Sequence, residues 1–117
     1  MRAIRGAITV DANTTEAIED ATTEMLLEIQ RRNEIGPDDV ISAFFSLTPD
    51  LNATFPARAA RFAGWQGIAM LDTVEVNVDG ALPRTIRVLL HVDVERPVRH
   101  AYLRGAKSLR PDLAADS

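Results

Sequence analysis

"RTIRVLLHVDV", residues 84–94, decides the fold class. Read with the period of two that a strand imposes, Ile86, Val88, Leu90, Val92 and Val94 share one face. Arg87, Leu89, His91 and Asp93 share the other. A strand with one continuous apolar face lies on a core, and its mixed second face is free to carry chemistry. The neighbouring segments extend this into a sheet. "TVEVNV", 73–78, sets Val74, Val76 and Val78 against Thr73, Glu75 and Asn77, and "DGALP" is the turn that follows. "WQGIAML", 65–71, reads as another strand, and "VISAFFSL", 40–47, is an apolar run of strand length expected to be buried on both faces. Residues 2–10 alternate and supply the first strand.

Helices separate these strands. Asn13 or Thr14 caps a helix expected from about Thr15 to Asn33, with Ile18, Ala21, Met25, Leu26 and Ile29 as its apolar stripe. Acidic residues near its start (Glu16, Glu19, Asp20) and Arg31 and Arg32 near its end suit the helix dipole, and Gly36-Pro37 is expected to end it. A short helix opens at Phe55-Pro56, where proline fits the first helical position, and Gly64 closes it. A short strand or turn, a brief helix near 103–109 and an extended tail finish the chain. The pattern is α+β, a mixed sheet of about five strands with two to three helices, in a single domain over 1–117. One long and one short helix cannot cover both faces of such a sheet, so symmetric self-association is expected to bury the rest.

Composition narrows the chemistry. The formal charge of -4 argues against a nucleic-acid partner, and no apolar run reaches membrane-spanning length. "MRAIRGAITV" lacks a signal-peptide pattern, so a cytoplasmic location is expected. With no cysteine there is neither disulfide nor thiolate, and two histidines are too few for a histidine-based zinc site. His91 and His100 read as structural or surface residues. Of the 13 cationic side chains only Lys107 is lysine. A GC-rich genome produces such a bias, and so does a need for planar guanidinium forks that bind carboxylates. Arg58 and Arg61 stand one turn apart on the short helix, a spacing at which like charges repel slightly unless an anion lies between them. Together with Arg5, Arg87, Arg110, the acid Glu75, Tyr102 and the aromatic Phe55, they describe many fixed cations, one acceptor and an apolar wall, with no nucleophile. Such a set suits a small, multiply anionic ligand and electrostatic catalysis.

"RAIRGAITV", "TPDLNATFPARAARFAGW", "TVEV", "IRVLLHV", "VRHAYL" and "LRPDL", in that order, resemble the small monofunctional chorismate mutases of the trimeric α/β type. The resemblance covers nearly the whole chain, with small gaps near 63 and 95. It implies a homotrimer, a trimeric pseudo-α/β-barrel of packed mixed sheets of chorismate mutase-like or ferredoxin-like type, with active sites in the subunit clefts. It also implies the Claisen rearrangement of chorismate to prephenate, without a cofactor or metal. Carried over residue by residue, Arg5 holds the enolpyruvyl carboxylate with the Tyr102 hydroxyl beside it, Arg87 faces the breaking ether oxygen and Glu75 accepts the ring hydroxyl. Phe55 is the apolar wall, Arg58, Arg61 and Arg110 ring the mouth near the second carboxylate, and Leu71 and Leu109 also line the substrate.

Two positions depart from the family pattern. Arg58 stands where lysine is frequent, and Asp72 stands where a small neutral hydrogen-bonding side chain is usual. One substrate hydroxyl cannot donate fully to both Asp72 and Glu75. Asp72 is therefore expected either to turn toward a nearby arginine or to titrate above a normal aspartate because of its acidic neighbour. Two alternatives share the architecture: a trimeric imine or enamine deaminase, which accounts for Arg87 but not for the further arginines or the "LRPDL" tail, and a non-catalytic anion-binding module, favoured only by Asp72.

Overall fold

A computed structural model describes residues 1–114. Strands β1 (Arg2–Thr9), β2 (Val40–Leu47), β3 (Ala69–Val74), β4 (Thr85–Val92) and β5 (Ala101–Leu103) form one mixed sheet in the order β3-β2-β4-β1-β5. The pairs β1–β4 and β2–β4 are antiparallel, while β1–β5 and β2–β3 are parallel. Helix α1 (Thr15–Asn33) links β1 to β2, α2 (Pro56–Phe62) links β2 to β3, and the short α3 (Pro111–Ala114) lies past β5.

The apolar face of β4 is the core face, with Ile86, Val88, Leu90 and Val92 at most 4% exposed. Helix α1 lies on it, and its whole expected stripe, Ile18, Ala21, Met25, Leu26 and Ile29, is fully buried. Each large aliphatic in that stripe contributes about 1.5–3 kcal/mol on removal from water, which outweighs the modest helix propensity of a segment carrying three threonines and β-branched isoleucines. Gly6 on β1 lets the helix approach: a Cβ there would stand 2.7 Å from Ile29 Cδ1 and 3.0 Å from Val88 Cγ1. Thr14 is the N-cap, its side chain accepting the Ala17 N–H at 3.1 Å.

Four expectations are corrected. The long helix ends before Gly36-Pro37, at Glu34, whose φ of 52° is left-handed and whose N–H donates to the Gln30 carbonyl. Gly36-Pro37 instead opens a 3-10 turn over Pro37–Asp39. The run 40–47 is buried on one face only: Ala43 and Phe45 are inside, whereas Phe44 is 41% exposed. The two strands expected at 65–71 and 73–78 are a single strand, β3. Trp65 is fully buried and donates its indole N–H to Gln30 Oε1 at 3.3 Å, so it plugs the core beneath α2 rather than starting a strand. Val76 and Val78, which alternate without a sheet partner, are 80% and 60% exposed. Finally, the tail is not wholly extended, since Pro111–Ala114 is helical. The fifth strand is thus β5, in the segment expected to be a short strand or turn.

Candidate active site

Helices α1 and α2 both lie on the core face of the sheet, which leaves the other face open except at the β1–β5 edge, where the segment after β5 packs over Ala7 and Tyr102. Cross-strand register assembles that open face into rows, because paired residues project to the same side. One row runs Thr73, Ser46, Arg87, Ala7, Tyr102 from β3 to β5. The next runs Leu71, Phe44, Leu89, Arg5 from β3 to β1. The alternation of β4 therefore places Arg87 as the sequence indicated, at the middle of the sheet.

Glu75 follows directly after β3, its N–H donating to the Leu47 carbonyl at 2.7 Å. Its side chain returns to the open face, where Oε1 forms an ion pair with Arg87 Nε at 3.1 Å and accepts from the Ser46 hydroxyl. The ion pair to Arg87 is made through Nε, and the Ser46 hydroxyl meets the same Glu75 oxygen. Arg87 is half exposed, at the wall of a depression of about 210 Å³ lined by Phe44, Ser46, Thr73 and Leu89. Ser46 was not anticipated. Its signal was a polar residue on the open-face parity of an otherwise apolar run.

A second group gathers at the β1–β5 edge. Tyr102 is buried to 5% exposure against Ala7 and Ala106, with Leu109 and Leu113 packed beside it. Arg5 is exposed on β1, and Arg110 pairs with Asp112 at 2.9 Å. The guanidiniums of Arg5 and Arg110 both reach His100 electrostatically, so the three lie close together.

A third group lies at the opposite edge, beside β3 and α2. Phe55, 63% exposed, is the N-cap residue of α2 and lines a cleft of about 300 Å³ with Leu51, Asn52, Asp72 and Val74. Arg58 stacks over the Phe62 ring at 5.5 Å, and Leu71 is 58% exposed on the open face. Asp72 lies on the side of β3 away from Thr73, and its Oδ1 accepts the Ala57 N–H of α2 at 3.0 Å. Its carboxyl titrates above the ordinary aspartate range because burial disfavours the charge, while the Ala57 N–H and then Arg61 pull it back. The rise was expected, but its cause is burial and not the charge of Glu75. Asp72 and Glu75 do not converge on one point.

One chain therefore unites Arg87, Glu75 and Ser46, and separately Arg5, Tyr102, Leu109 and Arg110. It leaves Phe55, Arg58, Arg61, Leu71 and Asp72 at the far edge. Four strand spacings, about 19 Å, separate β3 from β5.

The sequence profile described as "Chorismate mutase type I" matches residues 1–113. The chain belongs to that family. It is 47% identical over 117 residues to the chorismate mutase AroH of Thermus thermophilus, covering 97% of this chain and 96% of that protein. It is 42% identical over 118 residues to the chorismate mutase AroH of Bacillus subtilis, covering 97% and 93%. A solved chorismate mutase from Clostridium thermocellum superposes with a TM-score of 0.90 at 42% identity, covering 92% of this chain and 99% of that one. The family assignment and the mixed five-stranded fold read from the sequence are thus borne out. Among the described residues no helix is long and apolar enough to cross a membrane.

Proposed function

We propose how this chain performs its reaction and how it assembles. It is a chorismate mutase, an isomerase of aromatic biosynthesis. The substrate is the dianion chorismate, and the product of its Claisen rearrangement is prephenate. The rearrangement is unimolecular and moves no proton, so the protein's tasks are to select the chair-like conformer and to meet developing charge. Arg5 and Tyr102 take the enolpyruvyl carboxylate, while Arg110, Arg58 and Arg61 surround the second carboxylate. Clamping both carboxylates holds the reacting carbons in near-attack geometry. Phe55, Leu71 and Leu109 supply apolar contact, and the free oxygen of Glu75 takes the ring hydroxyl.

Negative charge grows on the ether oxygen as the C–O bond breaks ahead of C–C formation. Arg87, fixed through its Nε, presents its remaining N–H groups to that oxygen and binds the transition state better than the ground state. The observation that carries this reading is the Arg87–Glu75 contact of 3.1 Å on the sheet face opposite α1 and α2. A preoriented guanidinium costs no reorganisation when charge appears. Asp72 acts at one remove, by fixing the start of α2 and with it Phe55 and Arg58.

Each single-domain subunit carries the two edge groups too far apart for one ligand, so we assign the complete site to the junction between subunits of a cytoplasmic homotrimer. The test is loss of chorismate absorbance with prephenate identified as product, alongside sedimentation analysis. A protein that stays monomeric at micromolar concentration yet turns over chorismate would exclude the shared site.

A further inference from the structure

His100 has no role in the chemistry above, yet it ties together three elements beneath the carboxylate-binding edge. Its ring Nδ1 accepts the backbone N–H of Arg5 at 2.9 Å. That N–H lies on the side of β1 facing β5, one residue before the pairing of Gly6 with Ala101 begins. The imidazole thus starts a ladder that a backbone carbonyl would otherwise have to start. Its own carbonyl accepts from Arg32 Nη1 of α1 at 2.9 Å, and Arg32 is in turn held by Glu28 at 2.8 Å. The preceding residue is clamped as well: the Arg99 N–H donates to Asn33 Oδ1 at 2.7 Å and its carbonyl accepts from Asn33 Nδ2 at 2.9 Å. The chain is therefore fixed to α1 from behind, and only the ring reaches forward to β1.

We propose that His100 is a positioning residue for the reaction: its neutral ring, through Nδ1, sets the place of Arg5 relative to Tyr102. The proposal rests on the reading of Arg5 and Tyr102 as a carboxylate-binding pair. An Nδ1 that accepts requires the proton on Nε2, and protonation of the ring would convert the acceptor into a donor facing another donor. The charged groups around the ring oppose that protonation. Arg5 approaches from β1, Arg110 from the tail, Arg32 from α1 and Arg99 from the residue before it, with Asp112 of α3 the one acid lining the same cavity among the described residues. Burial first, then Arg5 and Arg110, hold its pKa below the ordinary histidine value. The neutral form therefore prevails at neutral pH, and the Arg5 bond is lost only on acidification through that lowered value.

The decisive experiment combines amide exchange with steady-state kinetics from neutral pH downward until His100, whose pKa lies below the ordinary histidine value, has titrated. In the unmodified protein the Arg5 amide should lose protection as His100 titrates, while the Ala7 amide stays protected. KM should rise over the same range with kcat little changed. His100→Asn, whose Oδ1 occupies the place of Nδ1 and does not titrate, should keep KM within about threefold and abolish the acid rise. His100→Leu should raise KM about tenfold at every pH, the effect of a backbone donor left without its acceptor beside the binding group. An Arg5 amide that stays protected through the titration of His100 would overturn the proposal, whatever the variants do. So would an intact trimer of His100→Leu with unaltered KM and pH profile. Unchanged KM in Arg5→Ala would instead refute the assignment of Arg5 to the carboxylate and leave the exchange result to judge His100.

Discussion

Arg87→Ala should cost rate far more than it costs stability. In the resting protein the pair is partly solvated, with side-chain exposures of 47% for Arg87 and 22% for Glu75 at 3.1 Å. Ion pairs of that exposure contribute about 0–1 kcal/mol, so the variant should fold and assemble nearly as well as the parent. In the transition state the same guanidinium meets charge in a cleft closed by substrate. Half a unit of negative charge at about 3 Å, with an effective dielectric near 20, is worth about 3 kcal/mol. That corresponds to about two decades of rate, in the range found on removing a single preorganised donor. The measurement is kcat and KM for chorismate, with unfolding followed by denaturant titration. A drop in kcat of about 10²–10³ with a small change in KM and an unmoved denaturant midpoint is expected. An intact Arg87→Ala trimer that keeps most of its kcat would refute electrostatic stabilisation at the ether oxygen.

Arg58, exposed over Phe62, should act mainly on binding: Arg58→Ala should raise KM with kcat nearly unchanged, and the effect should shrink as salt rises from low ionic strength. Asp72→Ser keeps an acceptor for the Ala57 N–H and should preserve kcat/KM, whereas Asp72→Ala, which orphans that donor, should raise KM; equal kinetics in the two variants would remove Asp72 from the positioning of α2. Glu28, held at about 2 against an ordinary 4.5 by Arg31 and then Arg32, contributes stability that is complete above pH 4.5 and is lost as pH falls toward 2. Glu28→Gln should therefore melt below the parent at neutral pH and converge with it in acid, and a gap that does not change with pH would contradict the pairing.

The parts of the fold legible in the sequence are those where one periodicity acts alone. The stripe of α1 and the alternation of β4 were readable because each segment meets a single core face, and burial then decides its structure. Around β3 two effects compete. Trp65 and Ile68 are as apolar as strand residues, but the left-handed Gly64 (φ 100°) turns the chain so that Trp65 drops under α2. Val74, Val76 and Val78 alternate like a strand, yet β3 ends at Val74 and its last bond to β2 is the Glu75 N–H to the Leu47 carbonyl. At the site, residue types and the parity of Arg87 were visible. The Ser46–Glu75–Arg87 contact was not, because it joins residues that only the register of β2, β3 and β4 brings together. Asp72 shows the same limit: three positions before Glu75, it has the opposite parity on β3, and its partner is a backbone N–H on another element.

The placement of the half-sites also constrains the assembly. Arg5, Tyr102 and Arg110 lie toward β5, while Phe55 and Arg61 lie beside β3, so the site proposed above needs one copy's β3 edge against another copy's β1–β5 edge. A head-to-tail contact matches them, and such contacts close into a ring where the rotation between copies permits it. The row Leu71, Phe44, Leu89, each at least 38% exposed in the single chain, supplies apolar surface for that contact. Mixing two defective variants tests this arrangement. Arg5→Ala damages one edge and Arg61→Ala the other, so each homotrimer should bind substrate poorly at all its sites. After joint unfolding and refolding at equal amounts, a junction is intact only when its β1–β5 edge comes from the Arg61 variant and its β3 edge from the Arg5 variant. Random assembly into head-to-tail rings makes about a quarter of the junctions intact, so about a quarter of the parental activity should return. Variants simply added together without exchange should stay inactive. If the co-refolded mixture shows no more activity than the sum of its parts, the two halves belong to one chain and the site is not shared.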